Sequence, residues 1–452
     1  MKRIFLLFIL NFFGIASAQN PDYKKSIDSL MNYFQENNAF SGSILVQKKG
    51  ETFYKGDFNK FPNITDRYRI GSITKIFTSI VIFQLIEEGK LKLDTKLSTF
   101  YPSIRYADEI TIANLLSHTS GIYDYLDWED YYSQKSNIYT KENMLQFIEQ
   151  GKPESKPNQQ SSYSNSNYTL LGYIIEDITK KSYSENIRSR ITEKVGLQNT
   201  YCEVEETKNF KRTQSYKFDG ENWHEENETD PSFTLAAGAM VSTTEDLSKM
   251  MFELFNGNLV SKNSLQQMKN TSLQTAIGYG LFKTPFYRKD GYGHTGRIDE
   301  FRSATVYLTE DNLSISILTN GTSIKLNDIV LGIASKYYNI KYKIPDFSVY
   351  QSEKSMKTEA YTGIYNARLA GIISVGKFKI TQAGKNHLFI AMYHNEKDNT
   401  KKSRKALLKR IGENEFYSFE TNANLQFLLN QKGVVTGIKL TQGNNSINCK
   451  KL

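Results

Sequence analysis

The chain has 452 residues, 39% apolar and 23% charged, with 29 Tyr and 27 Phe, which is enough to bury a large core and excludes a wholly disordered polypeptide. Its 28 Gly and 8 Pro exclude a collagen-like or linker-dominated chain, and its two cysteines exclude a disulfide framework or a Cys-rich zinc site. The formal net charge of +9 comes from Lys and Arg alternating with Glu and Asp, not from a basic stripe, which argues against a nucleic-acid partner.

At the start of the chain, Lys2 and Arg3 precede an almost wholly apolar run from Ile4 to Ile15, followed by Ala16-Ser17-Ala18. A cationic start, an apolar stretch and small residues at its end read as a secretory signal, residues 1–18, cut after Ala18. A run of about a dozen residues is too short to cross a bilayer, which needs ~20. The chain is therefore expected to be exported, to the periplasm or beyond, where association with an anionic cell wall would suit its charge. Cys202 and Cys449 could pair in that oxidising compartment, though nothing in their spacing requires it. Five histidines leave little room for a His-built metal centre, and no metal or organic cofactor is implied.

Residues 22–38 place Ile27, Leu30, Met31 and Phe34 at helical spacing. Two strand-like runs, Gly42–Gln47 and Thr52–Tyr54, flank Lys49-Gly50 as in a hairpin. From Ser72, the residues Ile76, Phe77, Ile80, Val81 and Leu85 recur on one helical face until Gly89. Residues 105–270 read as mostly helical, with strong helices at Leu170–Ile178 and Asp246–Phe255. The second is opened by the N-cap candidates Ser242-Thr243-Thr244-Glu245. Strands return at Ala304–Leu308 and Leu313–Leu318, and Ile324–Tyr338 reads as a closing helix. Strands at both ends around a helical middle predict an α/β sandwich with an inserted helical half over residues 22–342. In residues 345–452, strand-like runs at Ile364, Ile372–Lys379, Leu388–Tyr393, Phe416–Phe419, Leu425–Leu429 and Val434–Leu440 predict a separate all-β domain, a small barrel or curved sheet.

Three motifs carry chemistry. In Ser72-Ile73-Thr74-Lys75, positions i and i+3 share a helix face, so an amine stands one turn from a hydroxyl at a helix N-terminus with free N–H groups. A second copy, Ser374 to Lys377, falls in a strand, where those positions face opposite sides. Tyr163-Ser164-Asn165 precedes the helix at Leu170 and could project a phenol and an amide into a cleft. His294-Thr295-Gly296 precedes the late hairpin, with a glycine that admits close approach of a substrate backbone. Each has a plainer reading: an N-cap serine, a capping turn, a surface histidine on a strand.

In this order and on these elements, the three motifs resemble those of the serine beta-lactamase and penicillin-binding protein superfamily, closest to its class C, DD-peptidase and esterase-like branch. The stretches Leu115–Ile122 and Ala237–Leu247 resemble the cleft walls of that family, and the C-terminal part resembles the lipocalin-like domains appended to such hydrolases. The resemblance implies Ser72 as acyl-accepting nucleophile and Lys75 and Tyr163 as its proton carriers. It also implies Asn165 as the residue orienting Lys75 and substrate, and the N–H groups of Ser72 and Arg297 as the oxyanion site. His294, Thr295 and Gly296 would border the substrate. Lys and Tyr titrate near ~10 when free, so one of them must be lowered by several units to act as a base. Sequence does not say which. His294 stands where many lactamases have Lys; a histidine that is mostly neutral at pH 7 would hold a substrate carboxylate weakly and pH-dependently. That favours a peptidase or esterase over a lactamase. His118, in the Leu115–Ile122 stretch, is expected to be structural. The expectation is thus an exported serine hydrolase acting on amide or ester bonds of D-amino-acid peptides or related envelope substrates. The alternatives are a small-ester esterase and a non-catalytic ligand-binding protein on the same fold.

Overall fold

The computed structural model describes residues 22–61, 65–128, 131–206, 211–270, 276–349, 358–369, 373–393 and 405–452. The secretory segment lies outside the described residues.

The apolar stripe expected near the start forms α1 (Tyr23–Glu36), with Ile27, Leu30, Met31 and Phe34 buried. The hairpin follows as β1 (Phe40–Lys48) and β2 (Glu51–Phe58), turning at Lys49-Gly50, both in the left-handed region. A short β3 (Tyr68–Arg69) leads through a 3-10 turn, Gly71–Ile73, into α2 (Thr74–Glu87). This helix is not one-faced as its spacing predicts. Ile76, Phe77, Ile80, Val81, Ile82, Phe83 and Leu85 are fully buried, and so are Lys75, Thr78 and Ser79. It runs through the middle of the helical half, and a helix covered on every face needs no polar stripe. Its polar side chains find partners instead: Thr78 Oγ1 donates to the Ala236 carbonyl at 2.7 Å.

The helix expected at Leu170 begins earlier, as α3 (Asn165–Thr179). Short strands β4 (Tyr201–Cys202), β5 (Tyr216–Phe218) and β6 (Trp223–Glu225) precede α4 (Pro231–Gly238) and β7 (Met240–Ser242). Thr243 caps α5 (Thr244–Phe255), its side chain accepting from the Asp246 N–H. Then come β8 (Phe282–Lys283), β9 (Gly291–Ile298), β10 (Phe301–Leu308), β11 (Leu313–Thr322) and α6 (Leu326–Tyr337).

The main sheet has the order β2-β1-β11-β10-β9-β8 and its described pairs are antiparallel. The strands alternate: Ile315 and Ile317 join Ile44 and Val46 in a core with Ile27, Leu30, Phe34, Ile329 and Ile333 of the terminal helices. Ser314 and Ser316 face the other way, where both bond Ser248 of α5. The larger core belongs to the helical half and reaches the sheet at Ile298, Phe301, Tyr307 and Leu318. The inner strands β1, β11 and β10 are thus covered on both faces, whereas β2 and β8 are partly exposed edges, and β9 lies beside the turn that leads into α2.

The C-terminal part closes into an eight-stranded barrel running in order from β12 (Gly363–Leu369) and β13 (Ile373–Ala383) through β14 (His387–Tyr393), β15 (Lys405–Arg410), β16 (Glu415–Ser418), β17 (Ala423–Leu429), β18 (Val435–Gln442) and β19 (Asn445–Lys451). β12 pairs with β19 and removes the free edge. Sequence reading missed β15 and β19. The second serine–lysine copy, at 374–377, lies on β13 as expected. No disulfide joins Cys202, buried in β4, to Cys449, buried in the barrel core.

Candidate active site

Two glycines bring the distant motifs together. Gly71, at φ +50°, lies so close to β9 that a Cβ would stand 2.7 Å from the Arg297 backbone nitrogen. Gly296 lies so close to the turn before α2 that a Cβ would stand 1.9 Å from the Ile70 carbonyl oxygen. Ser303 of β10 reinforces this seam by donating to the same carbonyl at 2.6 Å. The Ser72 turn and the Arg297 amide therefore share one side of a cleft.

Lys75 is fully buried behind Ser72. Its Nζ lies 3.0 Å from Ser72 Oγ and 2.8 Å from both Asn165 Oδ1 and the Ala237 carbonyl oxygen. That carbonyl is aimed by a sharp bend in α4, where Leu235 has φ 32° and ψ −119°. Such a conformation is strained for a non-glycine residue and is held here by the surrounding core. Asn165 Oδ1 and the Ala237 carbonyl oxygen can only accept, whereas the Ser72 hydroxyl can either accept or donate.

Burial dominates the electrostatics. Desolvation lowers Lys75 to about 7, with the Asp124 carboxylate opposing it. The Tyr163 phenol, hydrogen-bonded to Ser72, is pushed the other way: desolvation raises it well above its ordinary value. Of the two candidate bases, the amine is the one brought near neutrality. Lys75 Nζ also stands 5.0 Å from the centre of the Tyr163 ring.

Asp124 was not legible as part of the site. It accepts from Asn165 Nδ2 at 2.9 Å and from the Leu126 N–H at 3.2 Å, and burial raises it to about 6 against those two bonds. A line of contacts thus runs Asp124–Asn165–Lys75–Ser72. His118, at φ +56°, stacks on the Tyr163 ring with centroids 4.3 Å apart, and its Nδ1 accepts from the Ser164 N–H at 3.1 Å. It supports the phenol from behind, in keeping with a structural part.

His294 is buried, with Phe282 packed on its ring at 4.1 Å between centroids. Its Nδ1 bonds the Thr295 carbonyl oxygen. A carbonyl only accepts, so Nδ1 carries the proton and Nε2 presents a lone pair. That Nε2 has no hydrogen-bond partner. Burial, with a smaller contribution from the nearby Lys75, lowers His294 to about 3. Burial thus favours the neutral ring, which by itself offers no cation to a substrate carboxylate.

The cleft has a volume of about 1570 Å³ and is lined by Ser72, Tyr163, Asn165, His294, Thr295, Gly296 and Arg297. All the residues singled out from sequence therefore converge. Thr295 is exposed in it, and the Arg297 side chain points to Glu300 and Glu420. Its rim is braced by Asp299, which accepts from Lys135 at 2.6 Å and from Thr229 N–H and Oγ1 at 2.9 and 2.8 Å. Among the described residues, no three His, Cys, Asp or Glu side chains gather as a metal centre would need.

Comparison with known proteins agrees with this geometry. The chain is 27% identical over 343 residues to Protein flp of Staphylococcus aureus, covering 71% of this chain and 67% of that one. It is 26% identical to a teichoic acid D-alanine hydrolase of the same species, over 72% of this chain and 82% of the relative. Among solved structures, a D-amino acid amidase from Ochrobactrum anthropi matches with TM-score 0.63 at 25% identity, covering 70% of this chain and 99% of the amidase. An octameric penicillin-binding protein homologue from Pyrococcus abyssi shares the fold over 94% of this chain and all of its own, with TM-score 0.63 at 22% identity. The beta-lactamase family model matches residues 27–329, and the chain belongs to the beta-lactamase family.

Proposed function

We propose that this serine hydrolase is exported and works through an acyl-enzyme on esters or amides of D-amino acids whose amino group is free. The observation that carries the reading is the contact between the Ser72 hydroxyl and a buried Lys75 amine lowered to about 7. A neutral Lys75 still donates to Asn165 and to the Ala237 carbonyl, and its lone pair then faces Ser72. The Ser72 proton passes to Lys75 as Oγ bonds to the substrate carbonyl carbon. Negative charge on the former carbonyl oxygen meets the N–H groups of Ser72 and Arg297; one such donor typically contributes ~3–4 kcal/mol. The neutral Tyr163 phenol gives its proton to the departing nitrogen or oxygen and is reprotonated from Lys75. Water then enters by the same route in reverse, releasing the acid and restoring Ser72.

The substrate class rests on His294 and on the relatives. A buried, neutral His294 offers no cation for a substrate carboxylate, which disfavours substrates that must be held by one. The names of two relatives, a D-amino acid amidase and a teichoic acid D-alanine hydrolase, point to D-aminoacyl groups. The amino-terminal segment supports export, and the envelope is where such esters and amides occur. The division into a signal over residues 1–18, a hydrolase over 22–342 and a lipocalin-like domain over 345–452 belongs to the same reading.

The test is labelling with a fluorescent fluorophosphonate, followed by hydrolysis of D-alanine p-nitroanilide, its L-isomer and its N-acetyl derivative. Wild type should label and Ser72→Ala should not. The D-isomer with a free amine should be cleaved at least tenfold faster than the other two. Equal labelling of both proteins removes Ser72 from its part, and a preference for the N-acetyl compound removes the free amine.

A further inference from the structure

The charge that alternates along the chain as a whole is not shared evenly between its parts. Residues 345–452 hold 17 Lys and Arg against 8 Asp and Glu, a surplus of nine that equals the net charge of the whole chain, so residues 1–344 are balanced. Within the barrel the surplus concentrates further: from Thr421 to Leu452 the sequence carries four Lys and no Asp or Glu. That stretch is β17, β18 and β19 with their turns.

These strands are turned away from the hydrolase. The barrel meets it through β13, β14 and β15, where Ala383, Phe389 and Leu407 pack against Phe218 and Trp223 of the β5–β6 hairpin and Lys217 Nζ donates to the Lys405 carbonyl oxygen at 2.8 Å. In a closed ring of eight strands, β18 stands four places from β14, on the opposite wall.

The β17–β18 turn leaves apolar side chains in water. Along β17, Leu425 and Phe427 fill the barrel core, so Leu428 points out. Leu428, Leu429 and Val434 are exposed around the turn, and Leu452 follows β19, the strand next to β18. These are four of the seven large apolar side chains that stand out in water among the described residues. Leu428 pairs with Gly437, and Gly437 with Lys450; the glycine puts no side chain between them. Lys432 lies in the turn and Lys439 two residues beyond Gly437, both exposed. Among the described residues, none of Lys432, Lys439 and Lys450 forms an ion pair. The turn holds its own shape. Asn430 Oδ1 accepts from the Lys432 and Val434 N–H groups at 2.9 and 3.0 Å, and Gly433, at φ +74°, donates to the Asn430 carbonyl at 2.9 Å. With these backbone groups paired internally, the turn can leave bulk water at little cost.

An apolar patch among unpaired cations suits few partners. A soluble polyanion would use the lysines and give the leucines nothing to meet. A second copy on a two-fold axis would set lysine against lysine. The headgroup layer of an anionic membrane takes both kinds of side chain, phosphates meeting the amines while the apolar tips enter beneath them. We propose that this end of the barrel docks the protein on an anionic phospholipid surface: Leu428, Leu429 and Val434 enter the headgroup layer, and Lys432, Lys439 and Lys450 meet lipid phosphates. Each such lysine should be worth roughly fivefold in binding. Ser72 plays no part in this docking.

The experiment is co-sedimentation of the chain lacking residues 1–18, whose apolar run would bind lipid by itself, with vesicles of phosphatidylcholine alone or with about one third phosphatidylglycerol. Wild type should bind the mixed vesicles at least tenfold more tightly than the neutral ones, and less tightly as salt rises. Lys432→Glu with Lys450→Glu should lower that affinity at least tenfold, and Leu429→Ser with Val434→Ser at least fivefold, with circular dichroism as in wild type. Should a double variant unfold, Lys432→Glu or Val434→Ser alone replaces it, each expected to lower affinity at least twofold. Equal affinity of wild type for the two vesicles, or a glutamate variant that binds as wild type does, overturns the docking. A serine variant that binds as wild type does would leave the lysines to a polyanion and overturns it too. So does a wild-type dimer in light scattering that the serine variant makes monomeric, since the patch would then belong to a second copy.

Discussion

In the proposed mechanism the Lys75 amine acts as the base because it has been taken out of water. An ordinary lysine is protonated at pH 7 and has no lone pair to offer; desolvation brings this one to about 7. Acylation should therefore rise with pH through about 7 and level off above it. Asp124 works against that shift, since its carboxylate favours the cation. Asp124→Asn removes the charge while keeping an oxygen to accept from Asn165. The Lys75 midpoint then falls, and the acid limb moves to lower pH. Pre-steady-state labelling rates between pH 5 and 9 check this: the variant should keep a larger fraction of its pH 9 rate at pH 6 than wild type does. A limb that moves upward would reject the linkage. Ser72, Lys75, Tyr163 and His294 were legible in the sequence because their spacing and order carry the pattern. Which of Lys75 and Tyr163 is the base was not, since that depends on how deeply each is buried. Asp124 sits in a loop 41 residues from Asn165, and no local spacing announces such a contact.

At the level of elements, the decisive joint is between the turn before α2 and strand β9. The two run without a side chain between them at Gly71 and Gly296, and the Arg297 backbone is held against the turn that carries Ser72 as a result. Gly71→Ala should strain a residue at positive φ and push Arg297 away, because the new Cβ would fall 2.7 Å from its nitrogen. Loss of one oxyanion donor lowers turnover by ~10²–10³. Labelling of Ser72 should fall by about that factor while circular dichroism still reports a folded chain; a wild-type rate would mean that Arg297 plays no such part. The long helices and the β1–β2 and β10–β11 hairpins of this half were readable because their apolar residues keep a period; the strands β4 to β7 inside the stretch read as mostly helical were not, being two or three residues long. Two barrel strands were not. In β15, Lys405 and the pair Lys409-Arg410 bracket only Ala406, Leu407 and Leu408, too short an apolar run to stand out. In β19, Asn445-Ser446-Ile447-Asn448-Cys449-Lys450-Lys451 is polar at most positions; pairing with both β18 and β12, not apolar alternation, makes it a strand. The opposite misreading occurred in α2, where a one-sided pattern was inferred for a helix that is covered all round.

At the scale of the molecule, barrel and hydrolase are joined by a small ionic cluster whose signs can be counted. Arg297 and Arg302 stand directly opposite each other across β9 and β10, an arrangement that repels unless carboxylates intervene. Lys217 adds a third cation, 3.4 Å from Glu300. Glu300 and Glu420 both lie within 4 Å of all three cations, and Glu420 is the one that comes from the barrel. Its side chain is only 14% exposed, so the attraction is weakly screened, and removing one partner of such a buried set costs up to ~3–5 kcal/mol. Glu420→Gln leaves Glu300 as the carboxylate within 4 Å of Arg297, Arg302 and Lys217 and puts most of that cost on the contact between the two parts. Scanning calorimetry of the full chain should show it. Wild type should unfold in one transition, and the variant should gain an earlier one as the barrel separates. Raising the salt should shrink the difference only slightly, because charges this buried are weakly screened. Superimposable thermograms at low and high salt would mean that Glu420 does not hold the barrel in place and that the apolar contact with the β5–β6 hairpin is sufficient.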